Sequence, residues 1–377
     1  MDKTSRYPVR MRALHVVTDS SIDMGYGGVL ANTLRMCREL SNQNCKTALW
    51  STYFIEPLSI TNIESYQFPN RRLSSAHPFV FQFSLKNFTT LWSAISKSEI
   101  IHVQFARELN PVAACLIAIF LRKSLVLQTH GMLVKSENIT TKLWDLFFTN
   151  FILQRADLVL ALQKDEFSNL KKFSPKKLKI LPNGISPHKM SPPDSSSSTP
   201  RIVFISRISE RKRPEIFLNL AEMANKKSLP YEFAIYGTID KKLGGFQESI
   251  KERNLGNIYK GVLDEKQVFD TLRNSSILLL PSIKEPFPIC ILESLSVGTP
   301  VIVMNDCGIA NEIRSLDPLF VCNPDIIEIE EQIRLILAKY TDANARRRLQ
   351  QNFEDVFLLQ SVAQKLISYY QSVNKNF

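Results

Sequence analysis

Short apolar segments alternate with helix-patterned segments along almost the whole chain. Near-continuous apolar strands separated by helices are typical of parallel sheets that helices cover on both faces. The alternation therefore predicts an α/β fold. The predicted strands are 13–19, 46–54, 99–105, 124–130, 157–162 and 177–182 in the first half, and 201–206, 231–237, 257–262, 276–281 and 299–304 in the second.

A Pro- and Ser-rich segment, 186–200, divides the chain almost in half and reads as a flexible linker. We therefore predict a first domain at 1–185 and a second at 201–377, with the last helix able to pack back on the first domain. Open parallel sheets bind ligands at the carboxyl ends of their strands. Two Rossmann-like domains that face each other across a cleft would place a ligand between them.

Several protein classes are poor fits. No G-x-G-x-x-G follows the first strand and no G-x4-G-K-[ST] occurs, which disfavours dinucleotide dehydrogenases and P-loop kinases. The six cysteines show no C-x2-C pair, so we interpret them as reduced, buried thiols of a cytosolic protein. The first residues lack the apolar core of a secretory signal. We expect a cytoplasmic protein, free or peripheral on the inner face of the membrane.

The positive charge is concentrated in the first half. Residues 1–190 contain 24 lysines and arginines against 13 aspartates and glutamates, whereas the rest contains 23 of each. An anionic membrane, an anionic acceptor, nucleic acid or plain solvation would explain the surplus. The segment KLWDLFFTNFILQR, 142–155, and the lysines of 171–177 are the candidate membrane contacts, with packing of its aromatic residues in the core as the alternative.

The segment 281–300, PSIKEPFPICILESLSVGTP, follows a predicted buried strand and opens a helix. Glu285 and Glu293 are candidate ligands for hydroxyl groups, because each carboxylate accepts paired hydrogen bonds. The amides of Ile289 and Cys290 would lie at the helix N-terminus, where phosphate binds favourably. The alternative is that Glu285 only caps the helix and Glu293 is an exposed helix residue. The spacing fits this alternative and the ligand-binding role equally well.

Three further motifs follow predicted strands. Arg207 and Lys212, in SRISERKRP, would clamp a diphosphate, although basic clusters are commonly solvated surface. Gly27 and Gly28 precede a helix, where small residues let amides approach a ligand or simply form a turn. His130 ends a strand ahead of a glycine and is a candidate site residue.

In their order along the chain, these motifs resemble glycosyltransferase family 4, the retaining enzymes of GT-B fold. The departures are Pro286-Phe287-Pro288 for the family's Gly-Phe-Gly, and Ser206 and Arg213 for its usual glycines. Each proline removes a backbone donor. The matching residues are E-x7-E from Glu285 to Glu293, SLSVGTPVIV after it, Arg207 with Lys212, Gly27-Gly28, His130-Gly131 and Pro182-Asn183-Gly184.

The resemblance implies a role for each residue. Glu293 would hold the ribose hydroxyls and Glu285 would contact the transferred sugar near its reacting carbon. Arg207 and Lys212 would neutralise the departing diphosphate, helped by the glycine amides, and no metal would be needed. His130 would hydrogen-bond the donor sugar. The base pocket is expected near Gly237 and Val262.

The resulting prediction is a hexosyltransferase of the retaining type. It would move a sugar from a nucleotide-diphosphate donor to a saccharide or lipid-linked saccharide, in cell-surface polysaccharide or glycoconjugate biosynthesis. No cofactor beyond the donor is expected. The alternatives are a GT-B nucleotide-sugar epimerase or phosphorylase, or a non-catalytic binding relative. Nucleic acid is not an expected partner, because no RNA-binding motif with interleaved aromatic residues is present.

Overall fold

The computed structural model describes residues 11–20, 27–53, 56–57, 59–69, 85–133, 138–186 and 199–375. The chain forms two compact units, Met1–Gly184 with Leu359–Phe377, and Ile185–Leu358. The first boundary lies one residue from the predicted limit at 185, and most of the predicted linker, 187–198, lies outside the described residues. The C-terminal segment belongs to the first unit, which is the packing that the sequence analysis allowed for the last helix.

The first unit contains a seven-stranded sheet in the order β3-β2-β1-β4-β5-β6-β7, and every strand pair is parallel. Strands β4 and β5 are buried along their full length because helices cover both faces. The strands are β1 (Arg12–Asp19), β2 (Lys46–Tyr53), β3 (Glu64–Pro69), β4 (Ile100–Gln104), β5 (Ser124–Gln128), β6 (Leu158–Ala161) and β7 (Leu178–Ile180).

The helices of this unit alternate with its strands. The segment 139–155 is helical throughout, with a π-helix (Asp145–Thr149) between α4 and α5. The helices are α1 (Gly27–Asn42), α2 (Leu85–Ser96), α3 (Leu109–Phe120), α4 (Ile139–Trp144), α5 (Asn150–Arg155) and α6 (Lys164–Leu170), followed by a 3₁₀ turn (Lys171–Phe173).

The second unit contains a five-stranded parallel sheet in the order β12-β11-β10-β8-β9. Its strands are β8 (Arg201–Ile205), β9 (Glu232–Tyr236), β10 (Ile277–Leu280), β11 (Val301–Met304) and β12 (Val321–Cys322). Its helices are α7 (Pro214–Lys226), α8 (Phe246–Glu252), α9 (Glu265–Arg273), α10 (Ile289–Ser296), α11 (Ala310–Leu316), α12 (Ile326–Lys339) and α13 (Ala343–Phe357), with 3₁₀ turns at Glu210–Lys212, Lys241–Leu243 and Pro318–Phe320.

Helix α14 (Leu359–Gln371) returns the chain to the first unit. Its apolar side is buried in the core there, and the Tyr370 hydroxyl lies 2.6 Å from Nδ1 of His102 on β4. A Cβ atom at Gly184 would lie 2.8 Å from the Leu359 Cα atom. The Pro-Asn-Gly motif therefore ends in glycine because the start of α14 passes directly against it.

One predicted strand is wrong and two strands of the structure were not predicted. The predicted strand 257–262 is wrong: it makes only an isolated bridge between Ile235 and Tyr259. The Lys260 N–H donates to the Ile235 carbonyl and the Gly237 N–H donates to the Gly261 carbonyl, but the pairing does not extend into a ladder. Strands β3 and β12 were missed, because β3 is a partly exposed edge strand without an apolar run and β12 has two residues. No helix among the described residues is long and apolar enough to cross a bilayer.

Candidate functional site

Two loops at the carboxyl edge of the second sheet bring opposite charges into contact. Lys212 follows β8 and Glu285 follows β10, and the Lys212 Nζ atom lies 2.8 Å from the Glu285 Oε2 atom. Arg211 is a second cation, with its Nη2 atom 3.3 Å from the same oxygen. Lys212 and Glu285 are only 9% and 8% exposed, so each charge is compensated mainly by the other. Lys212 and Glu285, predicted to contact different parts of a donor, thus contact each other directly.

Backbone hydrogen bonds hold the Glu285 loop from two sides. The Ile283 N–H donates to the Arg211 carbonyl and the Gly308 N–H donates to the Glu285 carbonyl, both at 2.8 Å. Lys284 adopts a left-handed conformation with φ +46°. That conformation costs a non-glycine residue about 1–2 kcal/mol and persists where the surroundings determine it. The loop therefore holds the Glu285 carboxylate in one position.

Helix α10 begins directly after this loop. Pro288 precedes it with no side-chain cap, and Ile289 and Cys290 are its first two residues. The first N–H groups of a helix have no acceptor within it, and the helix dipole favours an anion there. Glu293 is half-buried, one turn further along the same helix.

The Cys290 thiol lies among the charges of this site. Burial raises the pKa of the thiol to about 12, Lys212 lowers it, and the carboxylates of Glu293 and Glu285 raise it. The pKa of this thiol therefore depends on charges from both loops and from α10 itself. At neutral pH the thiol is protonated, which makes it a poor nucleophile.

Arg207 is not part of this ion pair. It follows β8 and is exposed. Among the described residues, no hydrogen bond or ion pair joins Arg207 to Lys212 or Glu285. The two cations predicted to act together are thus on one loop but in different surroundings.

Gly237 and Val262 lie at the same sheet edge as Arg207. A Cβ atom at Gly237 would lie 1.9 Å from the Ser206 carbonyl oxygen, so the end of β9 approaches the end of β8 closely. The Gly237 N–H donates to the Gly261 carbonyl at 2.8 Å, and Val262, the next residue, is 62% exposed. These residues form a second group at this edge.

The glycine and histidine motifs belong to the first unit. Gly27 and Gly28 are the first two residues of α1 and do not precede the helix as predicted. The adjoining residues 21–26 lie outside the described part of the chain. His130 follows β5, and both His130 and Gly131 are left-handed, at φ +49° and +71°.

The His130 ring is neutral at physiological pH. Burial lowers its pKa to about 4. Its Nε2 atom is hydrogen-bonded to the Gln104 Oε1 atom at 2.5 Å. In the tautomer that donates this bond, Nδ1 is an acceptor. The ring can therefore accept a hydrogen bond from a ligand hydroxyl.

Glu166 fixes the His130 loop, and the sequence analysis missed it. Its Oε1 atom accepts hydrogen bonds from the Thr129 hydroxyl and the Gly131 N–H, and its Oε2 atom accepts from the Leu162 N–H at 2.6 Å. Glu166 is 6% exposed. It lies in the polar segment QKDEFSNLKK, where a glutamate reads as solvated surface. The buried turn that needs its oxygens is visible only in the structure.

Two family models match consecutive parts of the chain. "Glycosyltransferase Family 4" matches residues 26–189 and "Glycosyl transferases group 1" matches residues 188–356. The two parallel-sheet units and the ordered motifs at their strand ends define the class as the GT-B glycosyltransferases. The chain belongs to glycosyltransferase family 4.

Solved structures of the same fold cover nearly the whole chain. Anabaena HepE, in complex with UDP and glucose, has a TM-score of 0.74 at 16% identity, over 96% of this chain and 100% of that one. At 16% identity this similarity shows a shared fold alone.

Similarity to curated proteins is more limited. The D-inositol 3-phosphate glycosyltransferase of Paenarthrobacter aurescens is 26% identical over 30% of this chain and 29% of its own length. The N,N'-diacetylbacillosaminyl-diphospho-undecaprenol alpha-1,3-N-acetylgalactosaminyltransferase of Campylobacter jejuni is 27% identical over 47% of this chain and 46% of its own length. The matches thus span less than half of each of these relatives.

Proposed function

We propose that this chain is a retaining glycosyltransferase that moves a sugar from a nucleotide-diphosphate donor to a saccharide or lipid-linked saccharide. The observation that carries the proposal is the buried Lys212–Glu285 pair beside the start of α10, with Glu293 one turn along that helix. Retention and the donor class rest on the resemblance to family 4. The setting we propose is glycan assembly at the cytoplasmic face of a membrane.

The charges suit the bond that breaks in such a reaction. Negative charge grows on the departing diphosphate while the sugar carbon becomes positive. Lys212 and the first amides of α10 would stabilise the diphosphate, and Glu285 would stabilise the carbon. Two opposite charges 2.8 Å apart match the dipole of a breaking carbon–oxygen bond. Glu293 would accept hydrogen bonds from the ribose hydroxyls.

In the first unit, His130 would accept a hydrogen bond from a donor-sugar hydroxyl, and the Gly27 and Gly28 amides would add to the diphosphate contacts. In the second, Arg207, Gly237 and Val262 would line the nucleotide end. We propose that Lys212 and Arg207 supply the positive charge without a metal ion. Transfer should therefore proceed at an unchanged rate in EDTA, and a rate restored only by added Mg²⁺ or Mn²⁺ would contradict this.

The first experiment is a thermal-shift screen against UDP, GDP and ADP. A nucleotide at a hundredfold excess over its dissociation constant stabilises the protein by about 2.7 kcal/mol. With the matching donor and a panel of saccharide acceptors, NMR of the product anomeric proton reports retention or inversion. Free sugar or sugar phosphate formed without an acceptor would favour an epimerase or a phosphorylase.

Glu285→Ala separates binding from chemistry. We expect it to retain nucleotide binding and to lower turnover by a factor of about 10²–10³, as for loss of one charge-stabilising group. Glu232→Ala is the matched control, because Glu232 is an exposed partner of Arg201 on the same unit. Turnover of Glu285→Ala equal to that of the control would contradict the role of Glu285.

A further inference from the structure

Exposed large apolar side chains are concentrated on one part of the first unit. Of twelve such side chains among the described residues, eight lie on α2, α3 and the helical segment 139–155, and four are spread over the second unit. On the segment 139–155, Ile139, Leu146 and Phe147 are 73%, 63% and 66% exposed. We call the exposed apolar residues of this segment the apolar face: Ile139, Leu143, Leu146, Phe147 and Phe151.

The segment has a second apolar side, which the core already uses. Ile152 and Leu153 are fully buried, and Trp144 and Phe148 pack against the same core cluster. A helix that only covers a core needs one apolar stripe, with polar residues opposite. The apolar face is therefore not explained by the packing of the described residues.

Basic residues lie on the segment 139–155 and at its C-terminal end. Between 139 and 180 the chain has eight lysines and arginines against four aspartates and glutamates. The Arg155 guanidinium lies 5.2 Å from the centre of the Phe151 ring, and the Lys176 Nζ atom donates to the Arg155 carbonyl at 3.3 Å. Arg155 and Lys176 thus form a basic border at the end of α5.

Most acidic groups of this region are already engaged. Asp145 accepts two hydrogen bonds from Arg107, at 2.7 and 2.9 Å. Asp157 pairs with Lys375 at 2.7 Å, and Glu166 is buried in the His130 loop. Asp157 also lies 4.0 Å from Lys176. The positive surplus of the region is therefore that of its composition, eight cations against four anions between 139 and 180.

We propose that the apolar face docks on an anionic lipid bilayer. Leu, Ile and Phe side chains would enter the boundary between headgroups and acyl chains, while Lys142, Arg155 and the neighbouring lysines contact the anionic headgroups. A second copy of the chain is a poorer occupant, because a two-fold contact would set the same cations against each other. Docking would bring the first unit to a lipid-linked acceptor, and this last step rests on the proposed function.

The test is flotation of the full chain with vesicles of phosphatidylcholine alone or mixed with phosphatidylglycerol. We expect flotation with the anionic vesicles only, falling as salt is raised. Leu146→Glu with Phe147→Glu should lower the partition coefficient at least about tenfold. The matched control is Ile327→Glu with Val356→Glu, which changes two exposed apolar residues of the second unit and should float like the wild type.

A second variant, Lys142→Glu with Arg155→Glu, leaves the apolar residues in place and should also lose binding to anionic vesicles. The proposal would be overturned if the wild type floated equally with both vesicle types. It would also be overturned if Leu146→Glu with Phe147→Glu and Lys142→Glu with Arg155→Glu both floated like the wild type. A dimer that Leu146→Glu with Phe147→Glu dissociates, with no flotation of the wild type, would also overturn it.

Nucleotide thermal shifts on the same variants separate this proposal from the proposed function. A variant that keeps its nucleotide shift and also keeps the wild-type urea midpoint by tryptophan emission, which reports on the first unit, is folded in both units. Its loss of flotation then reports the surface alone. A wild type that floats but binds no nucleotide would leave the docking surface standing and contradict the transferase.

Discussion

At the scale of single residues, the Lys212–Glu285 pair joins side chains that are 73 positions apart in sequence. Lys212→Ala would leave the Glu285 carboxylate buried with only the more distant Arg211 beside it. We expect a loss of about 3–5 kcal/mol in unfolding free energy, measured by urea denaturation. The exposed pair of Lys226 with Glu222 provides the control Lys226→Ala, which should cost less than about 1 kcal/mol.

Replacing both partners, as Lys212→Met with Glu285→Leu, should recover most of this stability because no uncompensated charge is left. Activity should stay lost. If the double variant transferred sugar like the wild type, the pair would be structural only.

Glu166 is the other residue whose effect lies at this scale. In Glu166→Gln an NH₂ group replaces one carboxylate oxygen. An NH₂ group cannot accept the hydrogen bond that the Gly131 or the Leu162 N–H donates to that oxygen. We expect a loss of about 1–3 kcal/mol in unfolding free energy and faster amide exchange at Gly131. Asp165→Asn, an exposed neighbour, should change neither quantity. Unchanged exchange at Gly131 in Glu166→Gln would contradict the positioning role.

At the scale of elements, the ends of β8 and β9 meet at Gly237. Its φ of +139° and the 1.9 Å approach of the Ser206 carbonyl exclude a Cβ atom. Gly237→Ala should destabilise the protein by at least about 2 kcal/mol in urea denaturation. Gly244→Ala is the control, since a Cβ atom there meets nothing within 4 Å and should leave stability nearly unchanged. Equal stability of the two variants would show that the two strand ends can separate without cost.

The segment 139–155 shows what periodicity leaves open. Its aromatic residues predicted either a core helix or a membrane contact, and the structure divides them between both sides. Trp144 and Phe148 pack on the core, whereas Phe147 and Phe151 are exposed. A single sequence records that a position is apolar but not which of two apolar stripes a neighbouring element covers.

At the scale of the whole molecule, the described histidines are all in the first unit. Burial lowers the pKa of His15 and of His130 from 6.5 to about 4, and also lowers that of His102. The unfolded chain therefore binds more protons below pH 6.5, and stability is lost as the pH falls from about 6.5 towards 4. The loss is on the order of 3 kcal/mol for each of His15 and His130.

The three tryptophans, Trp50, Trp92 and Trp144, are also in the first unit, so their fluorescence reports on it alone. Urea midpoints followed by tryptophan emission should fall steeply below about pH 6. His130→Gln should flatten that dependence, because one titrating group is removed. A midpoint that is constant between neutral pH and about pH 4.5 would show that these rings are solvated.

The sequence alone determined the plan of each unit, a parallel sheet with helices on both faces, together with the order of the motifs and the sheet edge at which they lie. Both faces of a parallel sheet are buried, so its strands consist of consecutive apolar residues. The predicted strands 201–206 and 276–281 therefore agree with β8 and β10 to within one residue at each end. The segment 257–262 is interrupted by Lys260 and Gly261, and it pairs with β9 through a single bridge only.

Only the tertiary structure decided which charged groups meet. Lys212 is buried against Glu285 whereas Arg207 on the same loop is exposed, and Glu166 holds the His130 turn from a helix whose sequence resembles solvated surface. Such contacts depend on how loops from distant strands fold over one sheet edge. Hydrophobic periodicity carries no information about that, because polar loop residues have the same pattern whether they meet a partner or water.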